Sequence, residues 1–417
     1  MTITAMRKNS LQTSGWSWLK ALTSPRTGAV ILCVVLLVEY AILPLVLSVF
    51  MHEADSTFVT LAALAIFSII AIAMGSTFPF IDPWFDGRRT RLVISLRTLN
   101  LFLWSFFVLF VFVAWFTAPQ IPLVAALTGA DPATIAMLRE LFLKAREGWQ
   151  GSFVYVNAIL TGALIPYSLA LMFLHGMRGR WIALGFFLVY SLSFVEKAFF
   201  LKAMLPLLVL VAQGRVSTRL SPQKLLLIIV GLLFFITFVS GSGSYEDITG
   251  ASFFSVRFVP QGVAQHIVWR LVAIPLLTAI DTIRVFYEQF DAQPFFGATS
   301  SFLSRVFSME RIELERLVFA AQWGQNITGT GSSNSVYITE AFVNFGWLGV
   351  FVFSFVTGLL MRLFAVSRDD AFRAQWPLFA LGLYSAGLIG LLLSNGFALL
   401  LGIALFIRIR VGVSDSR

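Results

Sequence analysis

Apolar residues form long runs along almost the whole chain, and short polar stretches separate these runs. Most runs are about 20 residues long, which is the length that a helix needs to cross the hydrocarbon core of a bilayer. A membrane β-barrel would instead show segments of about ten residues with alternating polarity. The pattern therefore predicts an all-α, polytopic transmembrane helical bundle of about ten spans. Their approximate bounds are 28–50, 56–80, 93–117, 152–175, 180–195, 198–213, 223–240, 337–361, 375–393 and 396–411.

The composition agrees with a membrane protein and excludes several kinds of site. Of the 417 residues, 58% are hydrophobic and 12% are charged, about half the charged share of soluble domains. The single cysteine, Cys33, and three histidines cannot form a disulfide framework or a cysteine- or histidine-rich metal site. No phosphate-binding loop or dinucleotide fingerprint occurs. In a membrane protein, the net charge of +9 indicates topology and contact with anionic membrane lipids rather than nucleic acid.

Basic residues predict the orientation of the spans. Every predicted inner connection contains arginine, whereas the short outer loops around 52–55 and 394–396 contain neither arginine nor lysine. Positive charge marks the cytoplasmic side, so we expect both termini to be cytoplasmic. Merging the two spans between 180 and 213, where Glu196, Lys197 and Lys202 interrupt the apolar run, would invert everything downstream. The resulting division is 1–27 cytoplasmic or interfacial N-terminus, 28–240 helices 1–7, 241–336 large periplasmic loop, 337–411 helices 8–10 and 412–417 cytoplasmic tail.

The predicted loop from 241 to 334 contains six arginines and no lysine. Arginine suits phosphate because its planar guanidinium makes paired hydrogen bonds and stays charged. Three of the arginines have an acidic residue one turn away and are expected to form ion pairs within helices: Arg284 with Asp281 and Glu288, Arg311 with Glu315, and Arg316 with Glu313. The other three, Arg257, Arg270 and Arg305, have no acid within four residues. They need a partner from another loop, a lipid headgroup or a substrate phosphate.

Two residues could act as a general base. His266 lies four residues before Arg270 and would share its helical face, although a polar histidine at the headgroup boundary is the structural alternative. Glu340 lies at the start of the predicted span that follows the loop, where it could activate a hydroxyl or pair with an arginine of the loop. Arg97, Glu39, Glu196, Lys197 and Lys202 also fall in or beside apolar runs, and Arg97 is expected to extend towards the inner surface.

The stretch GTGSSNSVYITEAFVNFGWLG at 329–349 resembles the end of the large periplasmic loop of O-antigen polymerases and related oligosaccharide repeat unit polymerases. In these families a polar, glycine-containing stretch precedes a span with an F/Y-G-x-x-G element, here Phe345, Gly346 and Gly349. Arg270 followed by PFFGAT at 294–299 is similar in layout. The related ligases carry a His-Asn pair where Ser333 and Asn334 stand here, which disfavours a ligase.

The resemblance implies a bundle similar to GT-C-type membrane glycosyltransferases, in the bacterial inner membrane. The implied reaction transfers a growing glycan from undecaprenyl pyrophosphate to a lipid-linked repeat unit, and a chain-length regulator is a further candidate partner. Arginines can stabilise the departing pyrophosphate without a metal or other cofactor. We expect Arg270 and Arg257 to bind it, with Arg305, Arg284 and Tyr337 as further substrate contacts, and Glu340 or His266 to act on the acceptor. A transporter or flippase for a polyprenyl-linked or anionic substrate is the alternative, in which Arg97, Glu196, Lys202 and Glu340 would matter more.

Overall fold

The computed structural model describes residues 17–50, 55–84, 92–143, 145–195, 199–216, 221–239, 263–323, 332–334 and 336–411. This part of the chain is almost entirely helical and contains one pair of short strands. The elements up to residue 239 are α1 Ser17–Thr23, α2 Gly28–Phe50, α3 Ser56–Thr77, β1 Leu92–Ser95, α4 Leu96–Thr117, α5 Pro122–Leu127, α6 Pro132–Leu143, α7 Gly148–Leu174, α8 Arg180–Ser193, α9 Leu201–Ala212 and α10 Pro222–Val239. A 3-10 helix, Pro79–Trp84, follows α3, and the first turn of α7 is also 3-10.

The remaining elements begin with α11, residues 263–290, which consists of Val263–Val268, Trp269–Ala273 and Ile274–Phe290. They continue with α12 Ser301–Val306, α13 Leu314–Trp323, α14 Tyr337–Val366, α15 Asp370–Arg373, α16 Trp376–Ser385, α17 Leu388–Leu393, α18 Phe397–Phe406 and β2 Ile407–Arg410. The all-α prediction is therefore confirmed. The strands β1 and β2 pair in parallel and join the start of α4 to the end of α18.

Five of these helices are long and apolar enough to cross a membrane: α2, α3, α4, α7 and α14. The predicted spans near 180–195, 198–213, 223–240 and 396–411 correspond to shorter apolar helices. About ten full-length spans are therefore not confirmed in the described residues. Ten residues of helix cover about 15 Å, or half of a hydrocarbon core.

Helix α14 reverses direction at Gly346, whose φ of 61° and ψ of −153° lie outside the helical region. The Tyr337 side chain hydrogen-bonds Ser68, which also bonds Ser354. Tyr337 and Ser354 would be about 25 Å apart along a straight helix. A Cβ on Gly349 would fall 2.5 Å from the Ala341 carbonyl oxygen, so residues 337–345 fold back along residues 347–366. Only the second segment, which is still long enough to span a bilayer, crosses the bundle.

Residues 347–366 and α3 pack side by side and run in the same direction. Ser68 bonds Ser354, and further along Arg362 binds Asp82, in the 3-10 helix that follows α3, with its Nε 2.7 Å from Oδ1. Between these contacts, a Cβ on Gly75 or Gly358 would overlap the backbone of the opposite helix. Glycine therefore permits the close approach, as in other membrane helix pairs. The shared direction means that the segments preceding the two helices lie at the same end of the bundle.

Helices α16 and α18 form a half-length hairpin whose tip lies inside the bundle. At the base, the Trp376 indole donates to the carbonyl of Thr23, just before α2. At the tip, Gly162 approaches the Asn395 carbonyl oxygen so closely that a Cβ would lie 2.5 Å away. Gly162 is near the middle of α7, so the turn at 394–396 lies at mid-depth. Its expected position in an outer loop is wrong for this reason.

Three π-helical turns interrupt the long helices, at Leu37–Ile42, Leu160–Leu164 and Trp269–Ala273. Each ends two positions before a proline: Pro44, Pro166 and Pro275. Proline has no N–H to donate and its ring crowds the carbonyl four residues earlier, so the preceding turn widens. The carbonyl that loses its α-helical partner belongs to Tyr40, Gly162 and Leu271, respectively.

Candidate functional site

The site is built on the short helix 337–345, which the reversal at Gly346 folds into the bundle. Ending this helix leaves its last carbonyl groups without helical donors. The backbone N–H of Phe295 donates to the Val343 carbonyl at 3.0 Å, and that of Phe296 to the Asn344 carbonyl at 2.9 Å. The PFFGAT and FGWLG stretches, which carried the family resemblance, are therefore in direct contact.

Asn344 and Thr299 hold the carboxyl group of Glu340 in this corner. The Asn344 side chain accepts from the Gly297 N–H at 2.9 Å and donates to the Thr299 hydroxyl at 2.7 Å. That hydroxyl donates to Oε1 of Glu340 at 3.4 Å. Glu340 is 8% exposed, and no basic residue forms an ion pair with it within the part of the chain that the structure describes. The expectation that it pairs with an arginine of the loop is thus not met there.

The second carboxyl oxygen of Glu340, Oε2, has no hydrogen-bond partner among the described residues. It lies against Gly387, where a Cβ would overlap it. Gly387 has extended backbone, with φ −66° and ψ 152°, between α16 and α17. The break in the half-length hairpin therefore provides the space that the carboxyl group occupies.

A second carboxyl group, that of Glu315 on α13, lies close enough to interact electrostatically with Glu340. Burial raises the pKa of Glu315, and the nearby Arg311 only partly opposes this. Two neighbouring carboxyl groups in a poorly hydrated place favour a proton on one of them. The pair can thus accept or hold a proton, as general acid–base chemistry requires.

Arg270 lies on the π turn Trp269–Ala273, where its side chain is exposed and its guanidinium carbon is 5.5 Å from the Trp269 ring centre. The next residue, Leu271, accepts a hydrogen bond from the Tyr384 hydroxyl at 2.6 Å. Tyr384 also bonds Glu39, near the middle of α2. The Arg270 turn therefore lies beside the middle of α2 and beside Tyr384, one turn before Gly387, which contacts Glu340.

Arg284 fastens the other end of α11 to the start of α3. Its Nε donates to Asp55 Oδ2 at 2.9 Å, and its Nη1 lies 3.3 Å from Asp281 Oδ1. The predicted pair with Asp281 is confirmed, and Asp55, just before α3, is a further partner that the sequence did not indicate. Although partial burial alone would raise the pKa of Asp55, hydrogen bonds from Thr57 and the charge of Arg284 lower it. Arg284 thus has a structural role.

Ser333 belongs to a polar network that includes the second carboxylate oxygen of Asp281. Its hydroxyl donates to Gln322 Oε1 at 3.0 Å, and Gln322 Nε2 donates to Asp281 Oδ2 at 2.7 Å. Its backbone N–H donates to the Glu315 carbonyl at 2.9 Å. Ser333 therefore ties residues 332–334 to α13 and, through Gln322, to α11.

The other predicted site residues are dispersed. Arg305 is exposed on α12 and forms no ion pair with any described residue, while Arg316 pairs with Glu313 as predicted at 2.9 Å. Arg311 lies 3.7 Å from the carboxylate of Glu313, not of the expected Glu315. Tyr337 is 1% exposed and its hydroxyl bonds Ser68 at 2.7 Å, so it packs between helices rather than facing a substrate. Arg257, Glu196, Lys197 and the side chain of His266, which is in Val263–Val268, lie outside the described residues.

Sequence reasoning missed Thr299, Asn344, Gly387 and Tyr384. Thr299 ends the PFFGAT stretch, so the motif itself could have indicated it. Gly387 and Tyr384 stand in an apolar run that reads as an ordinary span, and no local signal distinguishes them. No group of three or more His, Cys, Asp or Glu side chains that could hold a metal occurs among the residues described.

The arrangement thus places a buried carboxyl group against a break in a membrane helix, with a second carboxyl group within electrostatic range and the turn that bears Arg270 bonded one turn earlier on the same helix. Comparison with protein-family models, with curated proteins and with solved structures finds no match for this chain.

Proposed function

We propose that the protein is a membrane-embedded glycosyltransferase that polymerises a bacterial polysaccharide, such as an O-antigen, capsule or exopolysaccharide. It would act at the periplasmic face of the inner membrane, with both termini cytoplasmic. The donor is a glycan on undecaprenyl pyrophosphate and the acceptor is a second lipid-linked repeat unit. The resemblance of 294–299 and 329–349 to repeat unit polymerases supports this assignment.

One observation carries the proposal. The turn that bears Arg270 bonds Tyr384, and the carboxyl group of Glu340 lies against Gly387, three positions further along the chain. Residues from the loop, from the helix that follows it and from the half-length hairpin therefore meet at one place. A cation suited to pyrophosphate and a carboxyl group suited to a hydroxyl are the two groups that this transfer needs.

In the proposed reaction, a hydroxyl oxygen of the acceptor sugar attacks the anomeric carbon of the donor. The bond between that carbon and the pyrophosphate oxygen breaks, and undecaprenyl pyrophosphate leaves with the electron pair. Glu340 accepts the hydroxyl proton, and Glu315 tunes its basicity. Arg270 stabilises the negative charge that develops on the pyrophosphate.

The test is elongation by the purified protein in liposomes that contain lipid-linked repeat units. We expect Glu340→Gln to slow elongation by about 10²- to 10⁴-fold, the usual contribution of a general base. Arg270→Ala should also shorten the products. Glu310→Gln and Arg316→Ala, which change exposed residues of the same segment, serve as matched controls. Wild-type rates in both site variants, with the protein correctly inserted, would overturn the proposal.

Transport of a polyprenyl-linked or anionic substrate is a second candidate. It is favoured by the half-length helices α16 and α18, whose break meets a buried carboxyl group at mid-depth, because secondary transporters often bind substrate at discontinuous helices. The same liposomes distinguish the two functions. Longer products identify a polymerase, whereas movement of the substrate between leaflets without elongation identifies a transporter.

A further inference from the structure

Another buried carboxyl group, that of Glu39, contacts Tyr384, which stands three residues before Gly387. Glu39 stands on the π turn Leu37–Ile42 and is 8% exposed. Its Oε1 is in hydrogen-bond contact with the Tyr384 hydroxyl, which is also 2.6 Å from the Leu271 carbonyl oxygen. A single hydroxyl therefore connects the π turn of Glu39 with the π turn of Arg270.

The number of hydrogens available to the two contacts of the Tyr384 hydroxyl shows whether the Glu39 carboxyl group is protonated. A tyrosine hydroxyl has one hydrogen to donate, and a backbone carbonyl can only accept. If Tyr384 donates to Leu271, the contact with Glu39 is a hydrogen bond only when the carboxyl group supplies its own proton. If Tyr384 donates to an ionised Glu39 instead, the short contact with the Leu271 oxygen holds no hydrogen.

The hydrogen bond from Tyr384 is favourable because the Leu271 carbonyl lacks its α-helical donor. In an α-helix its donor would be the N–H of residue 275, and that residue is proline. A backbone carbonyl without a donor is unfavourable inside a membrane, where no water replaces it. Tyr384 supplies that donor from another helix.

The surroundings of Glu39 also disfavour an ionised carboxylate. The titratable groups that face it are Tyr384 and Tyr40, whose rings are 5.7 Å apart, and Tyr337 beyond Tyr40. Among the residues that the structure covers, no lysine, arginine or histidine forms an ion pair with Glu39. A charge buried without a counter-charge is unfavourable inside a helical bundle.

We infer that Glu39 carries a proton and, through Tyr384, is a positioning residue that fixes the turn bearing Arg270. The protonated carboxyl donates to Tyr384, Tyr384 donates to Leu271, and the backbone next to Arg270 is held in place. Loss of the proton removes one of these hydrogen bonds and releases the turn. The importance of the turn for activity rests on the proposed function, whereas the proton on Glu39 does not.

The proton is tested by infrared difference spectroscopy on the purified full-length protein in lipid nanodiscs at neutral pH. The difference between wild type and Glu39→Gln should contain a carboxylic-acid carbonyl band of the wild type, and Tyr384→Phe should shift that band. Glu147→Gln, which changes an exposed glutamate, should give carboxylate bands only. Carboxylate bands alone for Glu39→Gln would overturn the inference, whatever the activity of the protein.

The positioning role is tested by elongation at varied donor concentration. The glutamine side chain can still donate a hydrogen bond to Tyr384, so Glu39→Gln should keep the wild-type KM for the glycan donor. Glu39→Ala should raise this KM about tenfold, equivalent to about 1.4 kcal/mol. Tyr384→Phe should match Glu39→Ala, and Tyr155→Phe, at an exposed tyrosine, should not. If Glu39→Ala does not accumulate, Tyr384→Phe alone provides the comparison.

An unchanged donor KM in Tyr384→Phe would overturn the positioning role, and so would a KM for Glu39→Gln as high as for Glu39→Ala. If the wild type does not elongate glycans at all, the proposed function fails while the infrared result still decides whether Glu39 is protonated.

Discussion

At the scale of single residues, Gly387 has the sharpest requirement, because its missing side chain makes room for the Glu340 carboxyl group. We expect Gly387→Ala to displace that carboxyl or to push α16 away from residues 337–345. Overpacking of this kind costs about 1–3 kcal/mol, so both thermal stability in detergent and elongation should fall.

Gly390→Ala is the matched control, because a Cβ there meets nothing within 4 Å. It makes the same chemical change one turn further on and should leave stability and activity unchanged. Equal melting temperatures for the two variants would contradict the close approach of Glu340 to Gly387.

Asp55 provides a pH-dependent prediction. Its pKa in the folded protein is below the ordinary value of 3.8, so it stabilises the fold above that value and loses this contribution as the pH falls through the folded pKa. Because Asp55 is partly exposed, the contribution is less than about 1 kcal/mol. Asn also caps helices well, so Asp55→Asn removes the charge and keeps the cap.

The melting temperature of the wild type should therefore decrease more steeply between about pH 5 and 3 than that of Asp55→Asn. The comparison is made in one detergent at fixed ionic strength. Parallel curves for the two proteins would mean that the Asp55–Arg284 pair adds nothing to stability.

The sequence indicated some site residues and could not indicate others, for a physical reason. Glu340 stood out because a carboxyl group beside an apolar run needs a partner or a function. The ion pair of Arg284 with Asp281 followed from helical spacing. Its pair with Asp55 and the contact of Glu340 with Gly387 depend on which distant helices touch, and no local pattern contains that information.

At the scale of secondary-structure elements, Gly346 decides how Tyr337–Val366 is placed. Its φ of 61° and ψ of −153° fall in a region that is essentially restricted to glycine, where other residues are strained by about 1–3 kcal/mol. We expect Gly346→Ala to destabilise the protein by this amount although a Cβ there has open space. The measurement is thermal unfolding of the purified protein in detergent.

Gly185→Ala in α8 is the control for this change. Its Cβ also meets nothing within 4 Å, and its backbone has no positive φ. Alanine favours helix more than glycine does, so this variant should be as stable as the wild type or slightly more so. A Gly346→Ala protein with wild-type stability would show that residues 337–345 do not need the reversal.

Hydrophobic pattern alone could not reveal the reversal in α14 or the half-length hairpin. Residues 337–366 and 375–411 are apolar in a way that suits both a straight span and a folded segment inside the bundle. Four of the five longest apolar helices, α2, α3, α4 and α7, were predicted close to their observed positions, because length and composition suffice there. The half-length helices α16 and α18 were not, since their ends depend on Gly387 and Gly396 within a packed interior.

At the scale of the whole molecule, the shared direction of α3 and residues 347–366 shows which segments lie at which end of the bundle. The Asp55–Arg284 pair marks one end of the bundle, and the Asp82–Arg362 pair marks the other. Segment 301–323 belongs to the first end, and β2, through its pairing with β1 ahead of α4, belongs to the second.

Cysteine labelling in a Cys33→Ala background tests this arrangement. We expect a cysteine at Glu310 to react with a membrane-impermeant reagent added to the periplasmic side, and a cysteine at Arg410 to react only after the membrane is opened. Both native residues are exposed. Reaction of both from the same side would contradict the fold, and a cytoplasmic Glu310 would exclude the proposed polymerase.

The three π turns, each followed by a proline, have a consequence for how insertions and deletions alter this chain in evolution. A π turn is one residue longer than the α-helical turn it replaces, so each marks a place where a helix can gain or lose one residue. Deleting a residue within Trp269–Ala273 would rotate everything on its N-terminal side by about 100° relative to α3. Related chains that lack Pro275 should therefore be one residue shorter at this position, and in them the residue that corresponds to Arg270 would face a different neighbour.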